Sequence, residues 1–103
     1  MKKIIDGKLY NTETAKLIAE HNNGKNRGDY NVIEEKLYLT RKGQWFHHIF
    51  GGANTLFAKM SKLFSAEGEK IVLLTQQEAI NLLIDWDEDE IVLDMFPESI
   101  EEG

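Results

Sequence analysis

The chain has 103 residues, of which 42% are hydrophobic, and carries 12 Lys/Arg against 18 Asp/Glu for a formal net charge of −6. That is room for one domain with a modest core, so residues 1–103 are read as a single α+β domain. The absence of cysteine excludes disulfides, thiolate metal sites and a cysteine nucleophile, and fits a reducing compartment.

The N-terminus, Met1-Lys2-Lys3-Ile4-Ile5, opens like a signal peptide, but Asp6, Gly7 and Lys8 end the apolar run at once. Lys3-Ile4-Ile5 and Lys8-Leu9-Tyr10 flank Asp6-Gly7, a two-residue hairpin signal, because both turn positions need positive φ. Asn11 or Thr12 then caps a predicted helix over about 12–21, with Ala15, Ile18 and Ala19 on one face at helical spacing. Asn22-Asn23-Gly24 stops it, and residues 22–30 read as a loop.

Residues 31–50 predict a second hairpin with arms Val32 to Thr40 and Gln44 to Phe50. Its register is open. A two-residue Lys42-Gly43 turn places Leu37, Leu39, Phe46 and Phe50 on one face and Tyr38, Trp45 and His47 on the other. A three-residue turn changes which partners meet, because a one-residue slip reverses the facing side chains. The two-residue version is preferred because it gathers the aliphatic residues into one core face.

Gly51-Gly52 breaks the strand, and Leu56, Met60 and Leu63 predict a helix near 54–64. Ser65 to Glu69 reads as a loop and Lys70 to Leu74 as a short buried strand. Thr75 and Glu78 form a capping-box pattern that opens a helix near 76–86 with the apolar stripe Ala79, Ile80, Leu83 and Trp86. Ile91, Val92, Met95 and Phe96 suggest a second short helix stopped by Pro97, with a terminal strand as the alternative. Residues from about 98 to 103 are expected to fray. The expected architecture is a small antiparallel sheet built from hairpins with three to four helices packed on it. Its longest apolar stretches, such as Ile71-Val72-Leu73-Leu74, fall far short of the roughly 20 residues that span a bilayer, so a cytoplasmic location is the expectation.

Charge is unevenly spread. Residues 1–50 carry a net +3 and residues 51–103 a net −9. The acidic half repels nucleic acid and attracts basic surfaces. Its densest run, Asp85, Asp87, Glu88, Asp89 and Glu90, is linear, whereas a metal-dependent nuclease needs carboxylates converging from separate elements. It also lacks the glycine and alternating oxygen ligands of a calcium loop. Asp87, Glu88 and Asp89 suit the N-terminus of the last helix, so the run reads either as a solvated helix junction or as a negative contact surface. Tyr38, Arg41, Lys42, Trp45 and His47 form an alternative, basic–aromatic patch on the hairpin that could stack bases and hold phosphates, although hairpin aromatics more often serve packing. His47 and His48 are strand neighbours pointing to opposite faces, one half-buried and one exposed, and His21 is the only other histidine, so no zinc site is expected. There is no phosphate-binding glycine loop and no nucleophile elbow. No catalytic residue, cofactor or small-molecule substrate is indicated.

Several segments carry a family resemblance. They are residues 5–15 (Ile5-Asp6-Gly7-Lys8-Leu9-Tyr10 onward), Glu34-Glu35-Lys36-Leu37-Tyr38, Gly43-Gln44-Trp45-Phe46, Gly51-Gly52-Ala53, Gly68-Glu69-Lys70-Ile71-Val72 and Thr75-Gln76-Gln77-Glu78-Ala79. In this order, from residue 2 to about residue 86, the chain resembles small accessory proteins of Gram-positive phages and conjugative elements, including type II-A anti-CRISPR proteins. Its His47-His48-Ile49-Phe50-Gly51-Gly52 stands where that family usually has a more glycine-rich segment. The resemblance implies a non-enzymatic inhibitor of the type II effector nuclease, acting by occupying the nuclease or by hindering its assembly with guide RNA. It supplies no catalytic residues. Two other readings stand beside it: an RNA-directed protein acting on the guide RNA, and a mobile-element regulator unrelated to CRISPR.

Overall fold

The computed structural model describes residues 1–26, 28–52 and 68–103. Among these residues six strands run β1 (Lys2–Ile5), β2 (Lys8–Asn11), β3 (Lys16–Asn22), β4 (Ile33–Leu39), β5 (Trp45–Gly51) and β6 (Gly68–Leu74). Helices α1 (Gln76–Asp85) and α2 (Asp89–Met95) follow, then a 3₁₀ turn at Pro97–Ser99. β1 and β2 form their own two-stranded sheet, and the other four make an antiparallel meander in the order β3-β4-β5-β6. The fold is therefore α+β, with two α-helices among the described residues rather than three to four. The predicted helix near 54–64 lies outside the described residues. No helix among the described residues is long and apolar enough to cross a membrane.

Asp6 (φ 50°) and Gly7 (φ 77°) both take the left-handed conformation that the two-residue turn between β1 and β2 demands. Beyond β2 the predicted helix over 12–21 does not form. The chain makes one tight turn, with the Thr14 and Ala15 N–H groups donating to the Asn11 carbonyl at 3.2 and 3.0 Å, and then extends as β3. A bulge between Leu17 and Ala19 breaks the strand's alternation. It lets the adjacent Ile18 and Ala19 both pack into the core beneath the helices while Leu17 is left exposed. Two consecutive core residues mimic a helical stripe, which is why spacing alone misleads here.

The β4–β5 hairpin takes the three-residue turn, not the preferred two-residue one. Thr40 N–H donates to the Gln44 carbonyl at 3.0 Å, Gly43 N–H donates to the Thr40 carbonyl at 3.0 Å, and Gly43 sits at φ 86°. Leu39 therefore faces Trp45, and Leu37 faces His47. The slip reverses the expected faces. Leu37, Leu39 and Trp45 point to the helix side, whereas Tyr38 and Phe46 point to the other.

Each face of the four-stranded sheet is covered. On one, Ala79, Ile80 and Leu83 of α1 and Val92 of α2 pack with Phe96 and Trp86 onto Ala19, Leu37 and Trp45. α1 starts where the sequence places it: Thr75 Oγ1 accepts from Glu78 N–H at 3.2 Å, and Glu78 Oε1 accepts from Thr75 N–H at 2.9 Å. On the other face Tyr10 and Ile5 from the first hairpin close over Tyr38, Phe46 and Ile71. The Tyr10 ring meets Phe46 edge-on at 5.8 Å, and Tyr38 stacks on Phe46 at 5.0 Å.

Candidate functional site

The acidic run lies at the α1–α2 junction. Asp85 is the last residue of α1, and Trp86 caps it. Asp87 takes the left-handed conformation at φ 57°. Its N–H donates to the Ile84 carbonyl at 3.0 Å, and Glu88 N–H donates to the Leu83 carbonyl at 2.9 Å. These two bonds make a Schellman stop, with aspartate where glycine is usual. Glu88 then precedes α2, and Asp89 and Glu90 lie in its first turn, where the helix dipole favours negative charge. Asp85 at the negative end of α1 has no such support, since no basic residue occupies that last turn.

Four of the five carboxylates are exposed and Glu88 is half-buried. Among the described residues none of them enters an ion pair. The junction is nevertheless anchored. Trp86 is 9% exposed, stacks on the His21 ring at 5.5 Å with 9° between planes, and receives the edge of His47 at 5.8 Å. His47 Nε2 in turn lies 3.1 Å from Glu35 Oε1. Nothing in the sequence spacing points to this His21–Trp86–His47–Glu35 support. The expected helix at 12–21 hid it, because only a strand there places His21 directly opposite Glu35.

The alternative hairpin patch does not assemble. Tyr38, Trp45 and His47 are 6%, 5% and 9% exposed, and Tyr38 lies on the opposite face from Trp45. Only Arg41 and Lys42 remain exposed, at the turn. The aromatics serve the two cores. Burial also pushes the Tyr38 hydroxyl pKa up, with the Glu20 charge adding to it.

The adjacent histidines do face opposite sides of the sheet, but both are buried, so the expected exposed ring is absent. His48 Nε2 lies 2.7 Å from Glu69 Oε1. Glu69 belongs to β6, which begins at Gly68 rather than at residue 70. Burial lowers the His48 pKa; Glu69 opposes that shift, while the N-terminal ammonium and Lys36 reinforce it. A histidine held low takes up its proton less readily in the folded chain than in the unfolded one. Its contribution is intact above about pH 6.5, the unfolded value, and is lost as pH falls from there through the lowered folded value. The thermal midpoint is expected to drop more between pH 7 and pH 5 in the parent chain than in His48→Gln. Equal drops would remove His48 from the acid response.

Among the described residues no three His, Asp or Glu side chains group as metal ligands. No family model, curated protein or solved structure matches the chain.

Proposed function

We propose that this chain is a non-catalytic, stoichiometric inhibitor of a type II-A RNA-guided nuclease, made in the bacterial cytoplasm from a phage or conjugative element. It docks the α1–α2 junction on a basic surface of the nuclease. The observation that carries this reading is the set of carboxylates Asp85, Asp87, Glu88, Asp89 and Glu90, unpaired among the described residues, on a junction held firm by Trp86 and the Schellman bonds. Like charges fixed side by side repel one another in the free chain, and a basic partner relieves that repulsion on docking. The nucleic-acid channel of such a nuclease is a surface of the required sign. The sequence resemblance supplies the identity of the partner. The RNA-directed reading loses support, because the aromatics it would use for stacking are packed inside.

The test is the quadruple variant Asp87→Asn, Glu88→Gln, Asp89→Asn and Glu90→Gln. Asparagine tolerates the left-handed position at 87, so the helix stop survives. Inhibition is expected to weaken at least about tenfold, on the order of 1.4 kcal/mol, with reduced salt sensitivity of nuclease binding. Full inhibition by a folded quadruple variant would refute the surface. A pull-down with nuclease alone, nuclease plus guide and guide alone identifies the bound species, and capture by guide RNA without capture by the nuclease would overturn the nuclease assignment.

A further inference from the structure

A cleft of about 650 Å³ lies between the two hairpin turns, walled on one side by Gly7 to Asn11 and on the other by Thr40 to Gln44. Among the described residues three cations line it, Lys8, Arg41 and Lys42, and no carboxylate does. In a chain of net charge −6 that local balance is unusual. Among the described residues none of the three forms an ion pair, so their charge is unspent. None of the five junction carboxylates lines it, and Glu90 borders a separate hollow with Lys16, Leu17 and Ile18. α1 starts next to Leu74, which pairs with Trp45 beside the β4–β5 turn, and it ends at Trp86 against His21 and His47 on the opposite face of the sheet.

The two turns place the cations at the cleft. Lys8 pairs with Ile5, which packs inward from the first hairpin, so Lys8 shares the sheet-facing side of that hairpin. The three-residue turn at Arg41-Lys42-Gly43 leaves both cations exposed at its tip. Gly7 and Gly43 both have positive φ, and a Cβ on either would meet nothing within 4 Å, so the rims of the cleft are open to a ligand. Neutral donors are also at hand. Asn11 Oδ1 is occupied by Glu13 N–H at 2.9 Å, which leaves its amide N–H₂ groups to donate. Leu9, 59% exposed, adds an apolar wall.

We infer that the cleft between the β1–β2 and β4–β5 turns binds a nucleoside phosphate, with Lys8, Arg41 and Lys42 holding the phosphate and Leu9 bordering the nucleoside. Three cations lining one cleft suit a multiply charged phosphate better than a single carboxylate, and Arg supplies a planar fork for two of its oxygens. The volume lies in the range of small-ligand sites, larger than an inorganic ion requires. The same chemistry is offered by a free nucleotide and by a nucleotide within a single strand. The site is independent of the acidic junction, so it stands or falls separately from the docking surface proposed above.

The test is titration of the ¹⁵N-labelled chain with ATP, with a 5′-phosphorylated tetraribonucleotide and with adenosine, followed by amide shifts. Either phosphate probe is expected to move the Gly7, Lys8 and Gly43 amides, more weakly as salt rises, while adenosine leaves them still. The triple variant Lys8→Gln, Arg41→Gln, Lys42→Gln is expected to lose at least about tenfold in affinity. All three side chains are exposed, so it should fold. Thr14→Glu, which sets a carboxylate in the cleft, should weaken binding likewise, and the junction quadruple variant should bind as the parent does. Tighter binding of the tetranucleotide would assign a strand, and equal or tighter binding of ATP the free nucleotide. The inference is overturned if neither phosphate probe moves the three amides at about 10 mM, a weak limit for a site. It is equally overturned if adenosine alone moves them or if binding survives the triple variant.

Discussion

Trp45→Ala is expected to cost about 3–5 kcal/mol of folding stability, the usual range for removing a buried large aromatic. Trp45 is 5% exposed, and its ring lies 5.6 Å from that of Phe96 within the core under the helices. A domain of this size has about 5–15 kcal/mol in total, so the variant should lose much of its margin and unfold at markedly lower urea. The same experiment tests the placement of Trp45. Were Trp45 instead exposed on the hairpin surface, as the basic–aromatic patch requires, its removal would cost within about 0.5 kcal/mol, as at other surface positions. Arg41→Ala and Lys42→Ala, at the exposed turn, are expected in that small range. A Trp45→Ala cost below about 1 kcal/mol would reject the placement described here and revive the basic–aromatic patch.

The elements legible in the sequence are those whose chemistry is local. Asp6-Gly7 specifies its turn because only such residues accept two positive φ values in a row. Thr75 and Glu78 specify the start of α1 because each satisfies the other's backbone N–H. Pro97 bounds α2 from beyond its C-terminus, where the 3₁₀ turn begins. The register of the second hairpin was not legible, since a glycine at position 43 suits both the two-residue turn and the bulged three-residue one. What tips the balance is a side chain: Thr40 Oγ1 accepts from Gln44 N–H at 3.1 Å, a bond that belongs to the longer loop. β3 is hidden in the sequence for a related reason, because its bulge gives a strand two consecutive core residues.

The candidate surface divides in the same way. Its carboxylates stand in a run that any reading of the chain finds, and charge alone places them at the surface. Their support could not be read, because it depends on pairings between residues distant in sequence. His21 reaches Trp86 only once residues 16–22 are a strand at the sheet edge, and His47 reaches Glu35 across neighbouring strands. The cleft between the turns was hidden too. Lys8 and Arg41 are 33 positions apart, and only the folding of the first hairpin onto the sheet brings them to one space.

Gly52→Ala is expected to destabilise the fold by about 3 kcal/mol, the upper part of the range for overpacking. A Cβ at position 52 would stand 2.7 Å from the backbone carbonyl oxygens of both Asp29 and Tyr30 and 2.9 Å from the Tyr30 carbonyl carbon. These are main-chain atoms, so no side-chain rotation relieves the clash and the loop itself must move. The loop is not free to do so. Gly52 N–H donates to the Val32 carbonyl at 2.9 Å, and Val32 N–H donates to the Asp29 carbonyl at 3.2 Å. Asp29 Oδ1 also accepts from Asn31 N–H at 2.7 Å. Displacing this segment would pull Val32, which is fully buried, from its place just before β4, and burial of such a side chain is worth about 1.5–3 kcal/mol. The matching control is Gly28→Ala. A Cβ there meets nothing within 4 Å and the backbone is outside the left-handed region, so its stability should stay level or rise by a few tenths of a kcal/mol through the stiffer unfolded chain. Urea unfolding of both variants reads the difference directly. If the two behaved alike, the close approach of the 29–30 backbone to Gly52 would not be part of the folded chain in solution.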